Sequence, residues 1–223
     1  FKTGTDVNNT QIVYEQGGGS NGLNVHVTDG NVALAIWDDD WGAIYYEFTA
    51  LAIPNRVYVG VLEYDGATQT INGYINGELA GTFSALGQPD LDAHSDDGAA
   101  GFKNGSTLVG GSNPSGDAYF EGQVLELLST NTNFNDAQRV LVENYLSAKY
   151  DNAIGATGID AFAFRATHGY DVAGIGQNNS EFHLAAKSDC ILVISNPSIV
   201  NEGAFALIGN DNASIGSFVA TDI

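Results

Sequence analysis

The chain has 223 residues and carries 27 acidic against seven basic side chains, a formal net charge of −20. This charge excludes nucleic-acid binding and attraction to an anionic membrane, because phosphate recognition needs clustered lysine and arginine. No apolar run approaches the roughly 20 residues that cross a bilayer, so we expect no membrane insertion. With 43% hydrophobic residues, 28 glycines and four prolines, the composition favours β-rich domains with many tight turns.

The first predicted elements are short alternating strands. Residues 23–27 alternate apolar and polar side chains, which predicts a half-buried strand. Residues 31–37 are predicted to be its hairpin partner, with Val32, Leu34 and Ile36 on one face. Asp29 and Gly30 between them predict a hairpin turn. His26 occupies a polar position of the first strand, so we expect its side chain to be exposed.

Three acids follow between two tryptophans, and two interpretations of this stretch remain open. Asp38 and Asp40 point the same way on an extended chain, where they could share a hard cation such as Ca²⁺. Trp37 and Trp41 would then offer rings on which a sugar stacks. The other interpretation is a solvated acidic turn with Trp37 in the core.

The region 57–83 predicts three strands joined by two turns, at Asp65-Gly66 and at Asn76-Gly77. Asn-Gly between alternating apolar runs is a strong hairpin signal, because both central residues of a type I′ turn need positive φ. This strand and turn order resembles the centre of a laminin G-like or concanavalin A-like jelly roll.

A long acidic loop, residues 87–98, comes next. The resemblance to laminin G-like domains implies that Ca²⁺ and ligand bind at such a rim loop, although the loop lacks the EF-hand pattern. Together with the earlier acids, the candidate metal ligands are Asp38, Asp40, Asp90, Asp92, Asp96 and Asp97. The candidate ligand-binding residues are Trp37, Trp41, Asp92 and His94.

The following elements are predicted to close the first domain. Residues 99–109 predict a strand, a turn and a second strand, and residues 119–128 predict the last strand, which is similar to that of laminin G-like domains. Asn135 is a good helix N-cap and Gln138 sits at the capping-box position, which predicts a helix to about Tyr150. The end of this helix resembles the helix that closes many bacterial laminin G-like jelly rolls.

Residues 171–211 resemble a β-rich module that often follows a laminin G-like domain in bacterial surface proteins. The predicted fold class is therefore all-β: a jelly-roll sandwich with one closing helix in 1–152, and a smaller β-sandwich region in 153–223. Its predicted strands are 182–185, 190–194 and 205–209. The single cysteine, Cys190, cannot form an intrachain disulfide, and we expect it to be a small buried residue.

The chain contains no methionine, and both predicted domains lack strands that the resemblance implies. We therefore expect a piece of a longer protein. The alternative explanation is strand donation between copies through exposed β-strand edges.

The resemblance implies an extracellular or cell-surface module of bacterial type that binds a glycan or a surface protein with the help of Ca²⁺. A structural spacer or a self-assembling surface or filament protein is the alternative. A jelly-roll glycoside hydrolase is a further alternative, in which catalytic carboxylates follow a Glu-x-Asp-x-x-Glu pattern. Glu63 and Asp65 match its first two acids, but Thr68 replaces the third, so we expect no enzymatic activity.

Overall fold

The computed structural model of the chain describes residues 1–41, 44–94, 96–155, 159–188, 192–198, 200–211 and 218–222. Cys190 lies outside these described residues. The chain divides into two compact units, the first made of Phe1–Ile75 and Leu79–Asn131, the second of Asn76–Glu78 and Thr132–Ile223. Within the described part, no helix has the length and hydropathy of a membrane span.

The first unit is a two-sheet β-sandwich. Its strands are β1 (Gln11–Gly17), β2 (Asn21–Thr28), β3 (Asn31–Asp38), β4 (Ile44–Leu51), β5 (Gly60–Asp65), β6 (Thr70–Ile75), β7 (Glu78–Ser84) and β8 (Ala99–Ala100). The larger sheet has the strand order β4-β3-β2-β1-β8, and the smaller sheet has the order β5-β6-β7. The all-β class predicted from the sequence is confirmed.

The core of this unit lies between the two sheets. Val27, Leu34 and Phe48 of the larger sheet belong to the same buried cluster as Ile71 and Ile75 of the smaller sheet. Because strand side chains alternate in direction, these apolar positions share the inner face, and the intervening positions of β2, β3 and β4 point away from the core.

Two of the strands predicted in the first unit are wrong. Residues 119–128 contain an isolated bridge from Gln123 to Lys2 but no extended strand. Residues 99–109 form only the two-residue β8, because Gly101 turns the chain with a φ of 85° directly after it. The meander of β5, β6 and β7 is confirmed, and Asn76 and Gly77 have φ values of 52° and 79°.

The second unit combines one helix with short strands. Its elements are α1 (Asp136–Lys149), β9 (Tyr170–Asn178), β10 (Glu181–His183), β11 (Ala185–Lys187), β12 (Val193–Ser195), β13 (Phe205–Asn210) and β14 (Phe218–Asp222). One sheet has the order β10-β9-β13-β14, and β11 pairs with β12. The sequence places a domain boundary after residue 152, whereas the contacts group α1 with the second unit.

The helix begins as the sequence predicts. The Asn135 side chain accepts the Gln138 backbone N–H at 2.8 Å, and the Gln138 side chain accepts the Asn135 N–H at 3.0 Å. This reciprocal capping box satisfies two of the unpaired N–H groups at the helix start. The apolar side of α1 packs into the core of the second unit with Val172 and Phe205.

Candidate functional site

The two tryptophans predicted to carry a sugar are buried. Trp37 is 2% exposed and Trp41 is 1% exposed. The Trp37 indole N–H donates to the carbonyl of Gly18 at 2.8 Å, and the Trp41 indole N–H donates to the carbonyl of Pro89 at 2.8 Å. Neither ring offers a face to solvent, so the predicted stacking platform is wrong. The buried Trp37 agrees with the second interpretation of this stretch.

Asp38 joins the two acidic stretches that the sequence singles out. Its side chain is buried, and its two oxygens accept the backbone N–H groups of Asp40 at 3.0 Å and of Asp92 at 2.8 Å. The side chains of Asp40 and Asp92 are exposed. Asp38 is thus a structural carboxylate that fixes the acidic loop to the end of β3.

Two further contacts involve the predicted ligand residues of the acidic loop. The Tyr64 hydroxyl lies 3.5 Å from an oxygen of Asp90, and His94 Nδ1 lies 3.1 Å from the carbonyl of Asp96. Asp96 and Asp97 are exposed. Among the residues that the structure describes, no group of three or more His, Cys, Asp or Glu side chains is arranged to hold a metal.

A different set of polar residues lies on the outer face of the larger sheet. Cross-strand pairing places Glu15, Asn24, Ala35 and Glu47 in one row across β1 to β4. The neighbouring rows are Gly17, Gly22, Trp37 and Tyr45 on one side, and Ile12, His26, Ala33 and Thr49 on the other. We call these three rows the polar face. On β3 this face carries two alanines, whose small side chains lie between the larger side chains of β2 and β4.

This polar face is covered by residues 103–118, which we call the flap. The Asn24 side-chain amide donates to the Thr107 hydroxyl at 2.9 Å and to the Leu108 carbonyl at 2.6 Å. The backbone N–H of Asn104 donates to Glu15 Oε1 at 2.8 Å. Under this cover, Glu15, Asn24, His26, Ala33 and Ala35 are all fully buried. The expectation that His26 is exposed is therefore wrong.

Hydrogen bonding of the polar face is incomplete. Glu15 Oε2 and His26 Nε2 are buried without a hydrogen-bond partner. His26 Nδ1 lies 2.8 Å from the Asn24 side-chain oxygen, so Nδ1 carries the proton and Nε2 presents a lone pair. That lone pair lies 3.6 Å from Glu47 Oε2, so two acceptors face each other. Glu47 Oε2 also accepts the Tyr45 hydroxyl, so His26 Nε2 is the atom of this pair that lacks a donor.

Burial sets the ionisation of these groups. It lowers the pKa of His26 to about 4, against the opposing charge of Glu47, so the imidazole is neutral at pH 7. Burial raises the pKa of Glu15, and the charge of Asp96 adds to this effect, while the Asn104 N–H and Lys103 oppose it. Burial and the hydrogen bond to Glu47 raise the pKa of Tyr45, which keeps its phenol protonated.

The polar face therefore combines carboxylates, an amide, an imidazole lone pair and a phenol, and none of its twelve positions carries lysine or arginine. Such groups bind hydroxyls, which both donate and accept hydrogen bonds. Glu15 and Glu47 are separated by three strand spacings, about 14 Å. Glycosidases hold their carboxylate pair at about 5–9.5 Å, so this spacing does not fit such a pair.

The sequence matches no family model and no curated protein. Among solved structures, the chain is similar to the Ruminococcus gnavus IT-sialidase CBM40 bound to α2,6-sialyllactose, with 17% identity and a TM-score of 0.38 over 53% of this chain and 68% of that one. It is also similar to the leech intramolecular trans-sialidase complexed with 2,7-anhydro-Neu5Ac, with 14% identity and a TM-score of 0.43 over 92% of this chain and 30% of that one. These values are too low to carry a functional conclusion.

Proposed function

We propose that this chain is a non-catalytic glycan-binding module whose site is the polar face of the larger sheet. The observation that carries the proposal is that Glu15, Asn24 and His26 of this outer face are polar and fully buried, with acceptors left unpaired at Glu15 and His26. An unpaired buried polar group costs about 1–3 kcal/mol. Local violations of good packing of this kind are expected at functional sites.

The chemistry of the polar face favours a neutral sugar. Glu15 Oε2 and His26 Nε2 need hydrogen-bond donors, which sugar hydroxyls supply. None of the twelve positions of the polar face offers a cationic side chain to a carboxylated sugar, and the chain has a net charge of −20. We therefore infer a neutral glycan, such as one that ends in galactose or glucose, rather than a sialylated one.

We also propose that the chain has no catalytic activity. In the glucanase-like stretch, Asp65 accepts the backbone N–H groups of Ala67 and Thr68, and its second oxygen accepts the Thr68 hydroxyl at 2.6 Å. Asp65 therefore caps a turn, and Thr68 is its partner, which supports a structural role for both. An extracellular or cell-surface location, adhesion and Ca²⁺ at the acidic loop remain proposals.

The test is calorimetric titration of the whole chain with neutral oligosaccharides and with their sialylated forms. We expect binding of a neutral glycan that weakens about fivefold in Tyr45→Phe, because the Glu47 carboxylate loses its phenolic donor and the polar face is rearranged. Tyr170→Phe is the matched control, since Tyr170 is an exposed tyrosine of the second unit. Absence of binding to every neutral glycan would refute the proposal, and tighter binding of the sialylated forms would refute the inferred ligand class.

A further inference from the structure

The flap reaches the polar face through very few side chains. Of its sixteen residues, all of which the structure describes, Thr107 alone is fully buried. Its hydroxyl accepts a hydrogen bond from Asn24, and the neighbouring Leu108 carbonyl accepts a second one. The side-chain amide of Asn24 thus donates to one hydroxyl oxygen and one carbonyl oxygen. It could donate to two oxygens of a sugar in the same way.

The flap is tied to itself as well as to the sheet. The Lys103 backbone N–H donates to the Asp117 carbonyl at 2.7 Å, and this hydrogen bond joins the two ends of the flap. The Lys103 ammonium donates to the Asn113 side chain at 3.1 Å and to the Pro114 carbonyl at 2.5 Å. These contacts hold the segment together without involving the polar face, so they survive if the flap lifts.

A glycine with positive φ lies near each end of the flap. Gly101, just before the flap, and Gly116, near its end, have φ values of 85° and 69°. A side chain added at either glycine would meet no atom within 4 Å, so neither is packed in place. Glycine populates many backbone conformations with similar energy. The Gly101 backbone is held by hydrogen bonds to Val13 and Phe120, so Gly116 is the better suited of the two to act as a hinge.

We propose that the flap is a built-in occupant of the polar face, and that glycan binding displaces it. This inference depends on the glycan-binding function proposed above. In the closed state, Thr107 and Leu108 accept hydrogen bonds from Asn24. The Asn104 N–H donates to one oxygen of Glu15. In the bound state, sugar hydroxyls replace all three contacts and also reach the two acceptors that the flap leaves unpaired. The flap thereby sets the affinity of the site.

The experiment weakens flap closure and measures glycan affinity in the whole chain. Thr107→Val keeps the shape of the side chain and removes the hydroxyl that Asn24 bonds. Because flap and glycan compete, we expect this variant to bind the neutral glycan about fivefold more tightly, the factor that corresponds to one net hydrogen bond of about 1 kcal/mol. Ser112→Ala is the control, since it removes a hydroxyl at the exposed tip of the same flap.

A second readout follows the flap directly. Hydrogen exchange of the Asn104 amide, which is bonded to Glu15 in the closed state, should speed up when saturating glycan is added. Unchanged or weaker binding by Thr107→Val, together with unchanged exchange, would overturn the displacement and leave the glycan-binding function standing. Failure of the wild type and both variants to bind any neutral glycan would overturn the function and the displacement together.

Discussion

Burial of the His26 side chain makes the stability of the first unit depend on pH. In the folded chain its pKa is about 4, below the ordinary value of 6.5, so folding disfavours the protonated form. The resulting stability is fully present above pH 6.5 and is lost as the pH falls towards 4. The difference between a pKa of 6.5 and one of about 4 corresponds to about 3 kcal/mol of stability when it is lost completely, and to about 2 kcal/mol at pH 5.

The perturbation that isolates this effect is His26→Gln, which cannot take up a proton. Urea unfolding is followed by tryptophan fluorescence at pH 7 and pH 5, since both tryptophans lie in the first unit. Between these pH values the wild type should lose about 2 kcal/mol more than the variant. His183→Gln, a substitution in the second unit, should leave the pH dependence of the first unit unchanged.

The two carboxylates nearest to His26 are present in the wild type and in the variant. Glu47 faces Nε2 from β4, and Glu15 lies in the adjoining row on β1. The raised pKa of Glu15 acts with the opposite sign, because its contribution is present at low pH and is lost as the pH rises. Equal pH dependence in the wild type and His26→Gln would show that the imidazole is not buried in the neutral form.

Metal binding, helix capping and catalysis have separate tests. If carboxylates of the acidic loop or of the Asp38–Asp40 stretch hold Ca²⁺, a hundredfold excess of Ca²⁺ over Kd adds about 2.7 kcal/mol to the free energy of unfolding. An identical Tm with Ca²⁺ and with chelator would argue against the site. Asn135→Ala removes the helix cap and should lower the stability of the second unit by about 1 kcal/mol in urea unfolding followed by circular dichroism, whereas an unchanged midpoint would contradict this role. No β-glucan should be hydrolysed, and turnover that Glu63→Gln abolishes would show that the chain is an enzyme.

The features that the sequence predicted correctly depend on neighbouring residues. Asn76 and Gly77 form the expected turn because both positions need positive φ, which these residue types tolerate. Asn135 and Gln138 form the capping box because they are three residues apart. In each case, the residues that decide the structure are adjacent or nearly adjacent in the chain.

The polar face was not predicted, because its cover comes from a distant part of the chain. Alternation placed Asn24 and His26 on the side of β2 that points away from the core, as observed, and implied that this side meets solvent. The flap residue that buries them, Thr107, lies 83 positions after Asn24. No pattern of neighbouring residues predicts such a contact. Trp37 and Trp41 were predicted to be available to a ligand for the same reason, since the residues that bury them are distant in the chain.

Two buried carboxylates of the first unit differ in how completely their oxygens are hydrogen-bonded. Both oxygens of Asp38 accept backbone N–H groups, which is the arrangement of a carboxylate that serves structure alone. Glu15 is equally buried, yet the flap satisfies only Oε1 and leaves Oε2 without a partner. A single acceptor would suffice to anchor the Asn104 N–H, so the second oxygen serves no purpose in the closed state. Two sugar hydroxyls that replace the flap would give each oxygen of Glu15 a donor.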